Sequence, residues 1–143
     1  MTTPEVPDSP LTALLSALSR RDADAAEALC SPDCRLSTAD GRRAQGRQPV
    51  RVLLGQFLAD LRSASYQVTS QWHQDGMWFA EVLATYELRD WLLLERLPRA
   101  FVVEAGAEGI RAMRVYGANE RPLTDYRTAD ESPRVGGHLL LPL

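Results

Sequence analysis

Residues 76–117 read GMWFAEVLATYELRDWLLLERLPRAFVVEAGAEGIRAMRVYG, and this stretch decides the fold. From Met77 to Glu87 the chain alternates. Ala80, Val82, Ala84 and Tyr86 fall on one side, and Glu81, Thr85 and Glu87 on the other. A period of two marks a strand with one packed face and one wetter face. Leu97 to Val103 continues the pattern, Ala105 to Gly109 supplies a turn of small residues, and Ile110 to Tyr116 runs back. Three consecutive antiparallel strands of this length expose an apolar face that something must cover, and the preceding residues have the pattern of helices.

Residues 1–9 read as a disordered lead-in. Ser9 is a helix N-cap with Pro10 at the first helical position. Leu11, Leu14, Leu15 and Leu18 then form one apolar stripe. Asp22 caps a second, short helix through Ala25, Ala26, Ala28 and Leu29. Cys34 to Ser37 is a short strand, Ala39-Asp40-Gly41 is a hairpin turn, and Gly46 breaks the chain again. A third helix is predicted from Gln48 to Ser63, with its stripe at Val50, Leu53, Leu54, Phe57, Leu58 and Leu61. Tyr66 to Trp72 alternates, and Gln74-Asp75-Gly76 turns into the central strands. After Gly117 no period is sustained, so residues 118–143 read as a tail, although its end, Leu139 to Leu143, is apolar. The domain proper is therefore expected over 10–117, with the 118–143 tail packed on the domain or on a partner subunit.

Composition limits the function. At 143 residues the chain is one domain with room for a real core. The formal charge of −3 gives no basic excess for nucleic acid. No apolar run reaches the roughly 20 residues that span a bilayer. The first ten residues lack the apolar core of a signal peptide, so the expected location is cytoplasmic. All 16 basic residues are arginine, which fits a high-GC bacterial genome. Cys30 and Cys34 are the only cysteines. They would close a very short loop, and with no further ligand pair at useful spacing they do not make a zinc site, so two reduced thiols are expected.

The order of these elements is similar to the nuclear transport factor 2-like superfamily, in its SnoaL-like and ketosteroid isomerase-like branches. The resemblance rests on Leu14 to Leu18 with Arg21 to Ala25, on Leu29 to Leu36, on Gly46-Arg47-Gln48-Pro49-Val50 and on Gly109 to Tyr116. It implies an α+β, cone-shaped (cystatin-like) fold, in which a strongly bent, mostly antiparallel sheet wraps a long helix and encloses a pocket. The pocket-facing residues implied are Leu36, Thr38, Val82, Ala84, Tyr86, Leu97, Arg99, Phe101, Ala112, Arg114 and Tyr116.

The family chemistries transfer poorly. A ketosteroid isomerase-like site needs a carboxylate base and a Tyr–acid oxyanion hole, and those positions fall at Thr38, Leu14 and Arg99. A limonene epoxide hydrolase-like Asp-Arg-Asp set falls at Ala84, Tyr86 and Arg114. No carboxylate is retained in either. What is left to polarise a substrate oxygen is Tyr86, Arg99 and Arg114. A buried guanidinium needs an anion, an acid, a carbonyl or a route to solvent. The reading is a pocket for a small hydrophobic or anionic organic ligand. It serves either an isomerase, cyclase or dehydratase of secondary metabolism, without metal or other cofactor, or a non-catalytic ligand-binding or protein-interaction module. Trp91-Leu92-Leu93-Leu94, apolar near a hairpin tip, points to a homodimer contact.

Overall fold

Ser9 starts the folded part of the chain as its sequence dictates. In the computed structural model, which describes residues 9–117 and Leu143, its hydroxyl accepts from the backbone N–H of Thr12 at 2.9 Å. Helix α1 (Pro10–Ser19) buries Leu11, Leu14, Leu15 and Leu18 along one stripe. Asp22 caps α2 (Ala23–Ala28) by accepting from Ala25 N–H at 3.0 Å. Then follow β1 (Cys30–Ser37), β2 (Arg43–Gln45), α3 (Arg47–Ala59), β3 (Leu61–Gln74), β4 (Met77–Leu88), β5 (Leu93–Gly106) and β6 (Gly109–Tyr116).

The strands form one six-stranded sheet in the order β2-β1-β6-β5-β4-β3. Every neighbour pair is antiparallel except β1 with β6. This is an α+β cone with a curved, mostly antiparallel sheet. Its inner face is covered by two helices: α1 lies against β3, β4 and β5, and α3 against β1 and β2. The core between them holds Leu14, Leu18, Leu54, Tyr86 and Phe101, and Leu143 joins it with 2% exposure. Both cysteines are free and buried; burial first, and then the neighbouring Cys34, push the Cys30 thiol up to about 12. No helix among the described residues is long and apolar enough to cross a membrane. The expectations for residues 1–8 and 118–142 lie outside the described residues.

Three differences from the sequence pattern bear on the site, two of boundary and one of register, each for a physical reason. Helix α3 stops at Ala59, and Leu61, expected on its stripe, opens β3 instead. Leu61 is fully buried, and its spacing from Leu58 suits an apolar helix face equally well, so periodicity does not separate the two. Strand β5 begins at Leu93 rather than Leu97. Its ladder with β4 slips between Ala84 and Tyr86, where Arg96 takes a positive φ of 54° and its N–H donates to Thr85 Oγ1 at 3.1 Å. This bulge lets both Leu94 and Leu97 reach the core despite their odd spacing.

The third difference corrects the pocket list. A second bulge separates the Glu104↔Ala112 and Ala105↔Ile110 pairs. The extra residue, Arg111, exchanges the faces of β6 beyond it. Met113 and Val115, paired with Val103 and Phe101, face inward. Ala112, Arg114 and Tyr116 lie on the outer face, opposite Glu104, Val102 and Ala100.

The β1–β6 junction depends on Gly109. Its φ is +116°, and a Cβ there would stand 2.6 Å from the Leu29 carbonyl oxygen, which accepts from Ile110 N–H at 2.8 Å. Both the backbone conformation and the backbone contact exclude a side chain. Gly109→Ala is therefore expected to lower stability by about 2–4 kcal/mol. Urea denaturation measures this, and an unchanged midpoint would mean that the junction tolerates a side chain.

Candidate functional site

The inner face of β3, β4 and β5 brings two tyrosines and an arginine together. On β4, inward positions fall at Ala80, Val82, Ala84 and Tyr86. Across the ladders, Ala84 sits between Tyr66 of β3 and Leu97 of β5, and Val82 is opposite Arg99. The small Ala84 leaves space for the neighbouring rings. Tyr66 and Tyr86 meet edge to face with centroids 5.9 Å apart, and their hydroxyl oxygens are 3.1 Å apart. Phe57 of α3 packs edge-on against Tyr86 at 5.4 Å, and Phe101 against Tyr66 at 5.9 Å. Such contacts fix ring orientation in addition to the area they bury.

Arg99 is 2% exposed beside this cluster. Its Nη1 donates to the Pro98 carbonyl at 3.0 Å. Gly117 makes room for it: a Cβ at residue 117 would lie 2.7 Å from Arg99 Nη1 and 2.6 Å from Pro98 O. Burial lowers the proton affinity of the guanidinium, and the two tyrosine hydroxyls partly oppose that shift. The guanidinium remains charged at neutral pH, as arginine does in proteins. Burial pushes the Tyr86 phenol up to about 12 and the Tyr66 phenol well above its ordinary value. Both are neutral near pH 7, so the cluster offers O–H donors and one positive charge in apolar surroundings. It suits an oxygen that carries or develops negative charge.

Of the residues singled out in the sequence, Tyr86 and Arg99 lie together inside the cone. Leu36, Val82, Ala84, Leu97 and Phe101 are on the same inner face, and Thr38 is buried just past the end of β1. Arg114 is separated from this set by the sheet. Thr38 is occupied by the turn: its Oγ1 accepts from Arg42 N–H at 2.9 Å and bonds Asp40. Asp40 also pairs with Arg42 at 3.0 Å. Partial burial acts to raise the Asp40 carboxyl, but the bonds from Thr38 and Arg42 outweigh it and hold the pKa below the usual value. Asp40 is thus a turn-builder rather than a free base. His73 stacks on Trp78 at 3.7 Å, and His138 lies outside the described residues.

Sequence reasoning missed Tyr66 and Phe57 as members of the site. Tyr66 follows the buried Ala64 at a spacing of two, but only the β3–β4 register brings it to Tyr86. Phe57 counted as helix core, and it is core that also orients a phenol.

A family model described as a SnoaL-like domain matches residues 11–119. The chain belongs to this SnoaL-like family. Solved structures share the fold at low identity. A hypothetical protein with a ketosteroid isomerase-like fold from Catenulispora acidiphila, in complex with trimethylamine, is 18% identical with a TM-score of 0.70, over 82% of this chain and 88% of its own. An LEH-like epoxide hydrolase from M. tuberculosis is 17% identical with a TM-score of 0.66, over 76% and 80%. A protein assigned to the SnoaL-like polyketide cyclases from Shewanella denitrificans is 7% identical with a TM-score of 0.69, over 87% and 94%. No curated protein sequence matches this chain.

The buried phenol gives a pH prediction. The folded pKa of Tyr86 is raised, so this group's contribution is complete below the unfolded value of about 10 and is lost as pH rises through about 12. Alkaline difference spectroscopy of the folded SnoaL-like protein should show a late-titrating tyrosine class that shrinks in Tyr86→Phe. Ionisation of all tyrosines near their ordinary pKa would contradict the buried cluster.

Proposed function

We propose that this SnoaL-like protein binds a small oxygen-bearing organic molecule, hydrophobic or anionic, inside the cone and acts on it by acid/base chemistry as an isomerase, cyclase or dehydratase of bacterial secondary metabolism. The observation that carries this reading is the convergence of Tyr86, Tyr66 and Arg99 on one buried apolar face. In the proposed reaction a carbonyl or epoxide oxygen accepts from the phenol pair while Arg99 balances the growing charge. Leu36, Val82, Ala84, Leu97 and Phe101 would line the apolar part, with Thr38 at its edge. Arg114, set on the other face by the bulge at Arg111, has no part in this site.

A second reading has its own support. Among the described residues of the inner face, no carboxylate stands ready to take a proton. A non-catalytic ligand-binding module of the same fold would need only the donors. Turnover separates the two.

Thermal-shift and turnover screens against enolisable ketones and epoxides test both. Hits are expected to weaken by about tenfold or more in Arg99→Met and Tyr86→Phe, as loss of a charged or buried donor implies, while Arg114→Met stays at the wild-type level. Full binding and turnover in both site variants would overturn the proposal.

A homodimer is also proposed, with Trp91 and Leu93 as its contact. They are 65% and 46% exposed, and Trp91 carries the Arg62 guanidinium 3.6 Å over its ring. Light scattering of a Trp91→Asp, Leu93→Asp double variant should give a monomer; a dimer of undiminished stability would remove that patch from the interface.

A further inference from the structure

The outer face of the sheet carries a depression chemically different from the interior cluster. A cavity of about 470 Å³ lies over β2, β1 and β6 and is lined by Arg35, Ser37, Arg43, Gln45, Ala112 and Arg114 among others. The register explains how it forms. Ser37 pairs with Arg43 on one side and with Arg114 on the other. Arg35, two residues earlier on β1, pairs with Gln45 and Ala112. With strands about 4.8 Å apart, two guanidinium stems flank the Ser37 hydroxyl from both sides and a third rises next to it. Ser37 and Ala112 are short, so they form a floor and the longer side chains form walls.

Among the described residues, the charge at this place has no acidic counterpart. Among the described residues, none of Arg35, Arg43 and Arg114 forms an ion pair. The acid nearest in the ladder, Glu104 beyond Ala112, is bound to Arg111 at 3.5 Å. Like charges on neighbouring strands repel, so three arginines here oppose folding slightly unless an anion joins them. Their planar forks match tetrahedral and planar oxyanions, with the Ser37 hydroxyl and the Gln45 amide as additional donors. No large side chain in this lining is apolar and exposed, unlike the aromatic interior of the cone.

We infer that this depression is an anion-binding site for a small phosphate-bearing molecule, separate from the interior site on the opposite face of the sheet. The volume exceeds that of one phosphate and leaves room for an organic carrier. Arg43 and Arg114 hold the phosphate over Ser37, and Arg35 with Gln45 meets the next group along the chain of the ligand.

Isothermal titration of the full chain with sodium pyrophosphate at low ionic strength tests this. Binding is expected that weakens as salt is added. Arg35→Gln, Arg43→Gln and Arg114→Gln should each weaken it by about tenfold, the loss that one charge-assisted contact carries. Tyr86→Phe, which alters only the interior, should bind as the wild type does. No binding, or equal affinity in wild type and all three variants, would overturn the site. Citrate binding as tightly as pyrophosphate would overturn the phosphate preference. Tighter binding of a short single-stranded oligonucleotide, lost in the same variants, would overturn the small-molecule assignment in favour of nucleic acid.

Discussion

The parallel pairing of β1 with β6 is the constraint on which the rest of the structure depends. It joins the strand that follows the first helices to the last strand of the meander, so the helices are held over the inner face rather than beside it. Parallel strands need a long crossover, and here β2, α3 and the antiparallel strands β3, β4 and β5 supply it. The ladder survives only because Gly109 presents no side chain to the Leu29 carbonyl. Tyr66, Tyr86, Phe101 and Arg99 are brought together by the β3–β4 and β4–β5 registers, while that junction closes the far side of the same sheet.

The architecture was legible in the sequence because its signals are local. Ser9 and Pro10, Asp22, the stripe of α3 from Val50 to Leu58 and the alternation of β4 each act within one element, and they appear in the structure where the pattern places them. What the sequence hid is register. The bulge at Arg111 changes no residue's polarity, yet it sends Arg114 to the opposite face from Arg99. The bulge at Arg96 hid four residues of β5, since Leu93, Leu94 and Leu97 break strict alternation. Bulges are cooperative properties of two strands, and a single strand's pattern carries little trace of them. The same holds for Tyr66, whose partner is 20 residues away and is found only through the ladder.

The two faces of the sheet divide the chemistry. Inside, neutral phenols surround one guanidinium in a setting where electrostatic interactions are strong because water is scarce. Outside, three guanidiniums stand over short residues in contact with solvent, where ionic strength governs their reach. Arg99 and Arg114 look equivalent on the page, being inward and outward by one residue of register. They are not equivalent in the fold. One is burdened by desolvation and held by the Pro98 carbonyl in the space that Gly117 leaves; the other is partly hydrated and flanks a cleft.

Cys30 and Cys34 lie on opposite sides of the irregular segment that starts β1, near the junction itself. Burial keeps the Cys30 sulfur protonated far above cellular pH and raises Cys34 as well. A protonated thiol is a poor nucleophile. Alkylating reagents and mild oxidants will therefore find this pair inert while the domain is folded, and their labelling becomes a direct clock for opening of the seam between the two ends of the cone.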